Sequence, residues 1–142
     1  MSSTPKQITG SCLCGSVSYR AEAEPLLQGV CHCRDCQRQT GTAFSVFVAV
    51  PRETLTVEGD TLGSFTVTGE EHGTKTERRF CSACGSPIVS FIEAVPDLAF
   101  LKVGTLDDAS WVGPTIEIWS QSAQPWSPHF EQATRVERGI SS

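Results

Sequence analysis

A chain of 142 residues, 39% hydrophobic and 19% charged, has the composition of one globular domain with an ordinary core. Its net charge of −5 argues against a protein built to neutralise a phosphate backbone, and its longest apolar stretch, 44–50, is far too short to span a bilayer. The opening MSSTPKQITG carries no apolar signal segment, so the expectation is a cytoplasmic protein with no nucleic-acid and no membrane partner, in a compartment where thiols stay reduced.

Taken in chain order, a first C-x-C (Cys12, Cys14) precedes a strand at 16–23. There Val17, Tyr19, Ala21 and Ala23 alternate with Ser16, Ser18, Arg20 and Glu22, the period of a half-buried strand. A strand at 27–32 runs into CHCRDC (31–36), and a short helix is read over 34–40. Further strands are predicted at 44–50, 54–58, 62–68, 73–80, 87–92, 98–103 and 114–120, many separated by turn residues such as Glu58-Gly59-Asp60 and Thr68-Gly69. Within them, Arg78-Arg79 reads as a solvated strand edge. The CSAC knuckle (81–84) is followed by Gly85, which allows the positive φ such a turn often needs. No second domain boundary appears, and 129–142, lacking periodicity, is expected to be loosely held.

The seven cysteines carry the chemistry. Side chains at i and i+2 of an extended chain share a face, so both thiolates of a C-x-C can reach one metal, and C-x-x-C does the same through a tight turn. Soft sulfur donors at these spacings make zinc the leading candidate. Seven thiols do not make two closed four-sulfur sites, but they divide into four and three. The pairs CLC and CSAC complete one closed site. Cys31, Cys33 and Cys36 then give a second ion three protein ligands and one exchangeable position, as catalytic zinc sites have. Buried free thiols, disulfides, or a single ribbon of Cys33, Cys36, Cys81 and Cys84 are the competing readings, and the ribbon leaves Cys12, Cys14 and Cys31 unexplained.

The runs GSCLCGSVSY (10–19), VCHCRDCQRQTGTAFSV (30–46), RRFCSACGSPI (78–88) and PTIEIWSQSAQPW (114–126) resemble the glutathione-dependent formaldehyde-activating enzyme family, whose domain is shared with centromere protein V. The resemblance implies one zinc-binding domain over 8–128. Its fold would be all-β and Mss4-like, with zinc-stabilised antiparallel β-sheets and short helical turns. It further implies two Zn²⁺ per chain: a structural ion on Cys12, Cys14, Cys81 and Cys84, and a catalytic ion on Cys31, Cys33 and Cys36. The implied activity is that of a carbon–sulfur lyase resembling S-(hydroxymethyl)glutathione synthase. Its partners would be a small thiol such as glutathione and a small aldehyde such as formaldehyde. A zinc-stabilised binding or scaffold module without catalysis is the alternative.

The supporting residues are read more loosely. Arg34 and Arg38, just after the metal loop, would attract substrate carboxylates. His32, whose ring should face away from Cys31 and Cys33, is read either as a proton relay or ligand-orienting group, or as a supporting or surface histidine. Trp119 and Trp126 read as core or pocket-wall aromatics, and His72 and His129 as solvated.

Overall fold

The computed structural model describes residues 4–69 and 73–139; His72 lies outside them. Strands β1 (Ile8–Ser11), β2 (Ser18–Ala21) and β5 (Leu55–Glu58) form a small antiparallel sheet in the order β1-β2-β5. The larger sheet holds β3 (Leu27–Cys31), β4 (Ser45–Pro51), β6 (Leu62–Thr68), β7 (Lys75–Cys81) and β8 (Pro87–Ile92). It is completed by β9 (Leu98–Lys102), β10 (Ile116–Ile118) and β11 (Thr134–Arg135). Its spatial order is β11-β10-β3-β4-β9-β8-β7-β6. One helix, α1 (Arg34–Thr40), and single 3-10 turns at Arg52–Thr54, Val103–Thr105 and Ser120–Ser122 complete the described elements. No helix among the described residues is long and apolar enough to cross a membrane.

The period-two reading of the first strand holds: Val17, Tyr19 and Ala21 are buried, while Ser18 and Arg20 face out. The fold is all-β, but its large sheet is mixed. β10 runs parallel to both β3 and β11, because the chain builds the sheet's centre and far side between β3 and β10 before returning to β3's free edge. That return also brings the described part of 129–142 against β10 and the turn after it. The backbone of β10 and the turn after it still has groups to satisfy, and the following chain supplies them. Ser120 N–H donates to Val136 C=O at 3.0 Å, Trp119 N–H to Arg138 C=O at 3.0 Å, and Ala133 is buried.

Alternation along the large sheet divides the core in two. Val48, Val50, Val89 and Leu101 turn towards the small sheet and pack with Ile8, Val17, Tyr19 and Ala21. Phe47, Ala49, Phe100 and Ile118 turn the other way and pack with Cys31, Cys33 and Cys36. Gly29 makes that second face possible: a Cβ there would lie 2.7 Å from the Phe47 ring and 2.8 Å from Ile116. Phe47 and Phe100 meet edge to face with centroids 5.3 Å apart.

Candidate metal centres and an adjoining cavity

The turn after β1 and the turn after β7 bring four thiols together. Cys12 and Cys14 Sγ lie 3.6 Å apart, Cys14 and Cys81 Sγ 3.8 Å, and all four sulfurs of Cys12, Cys14, Cys81 and Cys84 lie within 4.8 Å of one another. Zn–S bonds of about 2.3 Å set tetrahedral edges of about 3.7 Å, so the donors suit zinc and would close its sphere. Each knuckle turns on a glycine in the left-handed region. Gly15 (φ 82°) donates its N–H to Cys12 C=O at 3.1 Å, and Gly85 (φ 84°) donates to Cys81 C=O at 2.7 Å. The Ser16 and Thr61 hydroxyls pull the Cys81 thiol down to about 5, and Ser86 brings Cys84 to about 7, both toward the thiolate a metal needs.

The second group sits at the other end of the chemistry. Cys31 ends β3, Cys33 caps α1, and Cys36 lies in its first turn, where its N–H donates to Cys33 Sγ at 3.3 Å. Gly41 (φ 68°) ends the helix in the left-handed cap. The three sulfurs are buried and lie within 4.8 Å of one another. They line a cavity of about 250 Å³ whose apolar wall includes Phe47, Ile92, Phe100, Ile118 and Trp119. Three soft donors facing a cavity suit a zinc ion with one position left for a ligand.

Two buried cations answer the thiols. Arg78 Nη1 and Nη2 lie 3.8 and 3.9 Å from Cys36 Sγ, and Lys102, which also lines the cavity, donates to Ser45 Oγ at 2.8 Å. Bonds from Cys31 and Cys33, aided by Lys102 and Arg78, hold Cys36 well below the ordinary thiol value. Bonds to Cys33 and Cys36, with burial, push Cys31 well above it. Cys33 is pushed up to about 12, the pull of Cys31 being outweighed by Cys36 and burial. Burial holds Lys102 below the usual lysine value.

Arg78 therefore corrects the sequence reading of a solvated edge. β7 is an interior strand between β6 and β8, and its alternation turns Arg78, only 5% exposed, into the cavity while Glu77 and Arg79 pair on the other face. Arg78 and its cross-strand neighbour Ser90 leave two buried polar atoms, Nε and Oγ, with no hydrogen-bond partner among the described residues. Both side chains line the cavity.

The remaining sequence candidates distribute differently. His32 does face away from the thiols, as an extended chain requires, but it is fully buried. Its Nε2 donates to Glu117 Oε1 at 2.8 Å. The other oxygen of Glu117 accepts from His129 Nδ1 and from Phe130 N–H at 3.1 Å, and Arg135 Nη2 lies 3.4 Å from Oε1. His129, expected to be merely solvated, is thus the half-exposed end of a buried carboxylate network. Arg34 and Arg38 lie on the outer face of α1, in a shallow depression apart from the thiol cavity, and Arg34 donates to Gln37 Oε1 at 2.5 Å. Trp126, at that depression's edge, is 72% exposed and not a core residue; Trp119 is the cavity-wall aromatic. The sequence reading missed Lys102, Ser90 and Glu117. Lys102 and Glu117 each left a signal, a lone charge inside an apolar strand (LAFLK, IEI).

An all-β domain thus gathers its seven thiols into one four-sulfur and one three-sulfur group, two sets of soft donors of the kind that suit a metal ion. The family model described as glutathione-dependent formaldehyde-activating enzyme matches residues 7–122, and the chain belongs to that family. A crystal structure of a Rhodobacter sphaeroides protein shares the fold, with a TM-score of 0.56 at 21% identity, over 70% of this chain and 87% of that one. No curated protein matches the chain.

Proposed function

We propose that this chain is a zinc-dependent carbon–sulfur lyase that makes and breaks the adduct of a small thiol and a small aldehyde, with Cys31, Cys33 and Cys36 as ligands of the working zinc. The observation that carries this reading is the three-sulfur group lining a cavity: the same thiols that would hold the metal also face the space a substrate would fill. The family's printed description, glutathione-dependent formaldehyde activation, supports the thiol and aldehyde classes. A zinc ion held by three thiolates supplies a position for a soft thiolate or a carbonyl oxygen. Cys12, Cys14, Cys81 and Cys84 would hold a second, structural zinc.

The reaction asks little of the protein beyond bringing two molecules together. In one direction the sulfur bonds to the carbonyl carbon, the π pair of the carbonyl passes to its oxygen, and the thiol's proton ends there. In the other, the carbon–sulfur bond breaks and the proton returns to sulfur. The thiol-facing cations Arg78 and Lys102 offset the negative charge of the cysteine group. Arg78, Ser90 and Lys102 bring side-chain donors to the cavity lining, the groups that would meet the oxygen that gains charge. The apolar side chains restrict water, which would otherwise compete for both the aldehyde and these donors.

Exchange NMR on glutathione and formaldehyde tests the reading. Zinc-loaded protein should accelerate exchange between free and adduct carbon, and Cys33→Ser should abolish the acceleration while leaving the fold intact. Exchange no faster than in protein-free solution would sink the lyase reading and leave a zinc-stabilised binding module.

A further inference from the structure

We propose that Gln37 is a positioning residue for the three-sulfur group: by holding the backbone carbonyl of His32, it fixes where Cys33 and Cys36 stand relative to Cys31. The inference rests on the reading of that group as a zinc site and concerns how the chain keeps the site in shape.

Closeness in sequence does not by itself set the three sulfurs. Cys31 ends a strand, Cys33 has extended backbone with ψ 149°, and Cys36 is helical, so the ligands straddle a sharp change of direction. His32 stands at that change, and three of its polar groups are held. Its N–H donates to Ile118 C=O at 3.1 Å, and its ring donates to Glu117 Oε1 at 2.8 Å. These two anchors fix His32 to β10. The third comes from α1: Gln37 Nε2 donates to His32 C=O at 2.6 Å. Gln37 directly follows Cys36, so this bond closes the segment 32–37, which contains Cys33 and Cys36.

The Gln37 amide is fully used. Nε2 also donates to Ser122 C=O at 3.1 Å, while Oε1 accepts from Arg34 Nη1 at 2.5 Å and from Gln124 Nε2 at 2.8 Å. Two carbonyls beside the nitrogen and two donors beside the oxygen leave the amide one orientation. The side chain is buried, which shields these bonds from competing water.

α1 does not need them to be a helix. Cys33 Sγ caps its start, Gly41 caps its end, and Gln37 joins its ladder through the backbone, N–H to Cys33 C=O at 3.0 Å and C=O from Gly41 N–H at 2.8 Å. What the side chain adds is a link from the helix to His32 and to the turn at 120–124. That turn follows Trp119, a residue of the cavity wall.

The consequence falls on metal retention. Three buried thiolates repel one another, and a loose segment would relieve the repulsion by spreading. A segment closed from 32 to 37 and anchored on β10 is held against that, so its ordering is completed in folding and not at metal binding. Loss of a partner behind metal ligands lowers affinity by about 10–100-fold.

Chelator competition on the reduced, zinc-loaded full chain tests the proposal, read on the more readily lost zinc. Gln37→Glu keeps the shape and the acceptor that Arg34 and Gln124 use, but at about pH 8 its carboxylate is ionised and cannot donate to His32. The labile zinc should be lost about tenfold more readily than in the wild type. Added negative charge would by itself favour a cation, so a loss reports the missing bond. Val50→Ala, in the core face turned to the small sheet, should lower the urea midpoint and leave zinc affinity within about twofold. Nitrogen-15 NMR of the wild type covers a Gln37 variant that fails to fold. With the labile zinc removed, the Gln37 side-chain amide protons should still exchange slowly. A Gln37→Glu titration that overlays the wild type overturns the proposal, as does an equal loss of zinc in Val50→Ala. Gln37 amide protons that exchange freely once the zinc is gone overturn it too, because the metal would then be ordering the segment. A wild type with no labile zinc sinks the zinc reading and the proposal together, whereas a labile zinc indifferent to Gln37 sinks the proposal alone.

Discussion

Arg78 Nη1 lies 3.8 Å from Cys36 Sγ, and the two residues stand 42 positions apart in the chain. The contact joins β7, one strand in from the edge of the large sheet, to the first turn of α1, and it puts a buried cation against a buried thiol. Arg78→Met keeps most of the stem's volume and removes the charge. Metal at the three-sulfur group should then be lost about tenfold more readily to a chelator, equivalent to ~1.4 kcal/mol. Far-ultraviolet circular dichroism should stay unchanged, because the four-sulfur group is untouched. A chelator titration that overlays the wild type would show that Arg78 does not support the site.

The two sulfur groups should respond differently to loss of one ligand. Cys12 and Cys14 follow β1 while Cys81 ends β7 and Cys84 follows it, so a metal there would tie distant segments and its binding energy would be folding energy. Cys31, Cys33 and Cys36 are neighbours in sequence, already positioned by β3 and α1. Purified protein should carry up to two zinc ions, and Cys81→Ser should lower the thermal midpoint far more than Cys33→Ser, which should cost one zinc. Equal destabilisation by the two substitutions, or a single zinc after loading under reducing conditions, would refute this division.

Spacing made the metal groups legible because C-x-C and C-x-x-C fix local geometry whatever the rest of the fold does. Alternation made most strands legible for the same local reason, down to the buried trio Val17, Tyr19 and Ala21. What could not be read were partnerships between remote segments. Arg78 in KTERRFC is one charge among four, and only the arrival of Cys36 on its inner face distinguishes it from Glu77 or Arg79. β11 has two residues and no pattern of its own; it exists because β10 offers it an edge. Arg34 and Arg38 follow the cysteines closely in sequence, and it is α1 that turns them outward, into a depression separate from the thiol cavity.

Glu117 should set an acid limb on stability. Burial alone would raise its pKa, but bonds from His32, Phe130 N–H, His129 and Arg135 outweigh burial and hold it below the ordinary carboxylate value. With the folded value the lower one, the unfolded chain takes up the proton first. The stabilisation is therefore present above the unfolded value of about 4.3 and is lost as pH falls from there through the folded value. Glu117→Gln should cost about 3–5 kcal/mol at neutral pH, since it unpairs a buried ionic network. The urea midpoints of variant and wild type should converge as pH drops below about 4.3. A gap that stays constant through that range would mean that Glu117 acts by shape and not by charge.

Gly139 offers a steric test of how tightly the returning chain packs on Trp119. A Cβ at this position would lie 2.9 Å from Trp119 Nε1 and 3.3 Å from Cε2, so Gly139→Ala must either push the ring or lift the segment. Gly113 is the control, because a Cβ there meets nothing within 4 Å. Gly113→Ala should be neutral or should stabilise by about 0.4–1 kcal/mol, through the entropy of the unfolded chain. Gly139→Ala gains that same entropy and must still come out destabilised, by about 1 kcal/mol, if the contact is as tight as the geometry requires. Because Trp119 is already strained at φ 56°, it has little freedom to turn away, and the displacement should reach the cavity. Affinity for 3-mercaptopropionate should therefore fall about threefold, ~0.65 kcal/mol, in Gly139→Ala and stay unchanged in Gly113→Ala. Should Gly139→Ala prove as benign as Gly113→Ala in both urea midpoint and thiol affinity, the returning chain does not press on Trp119.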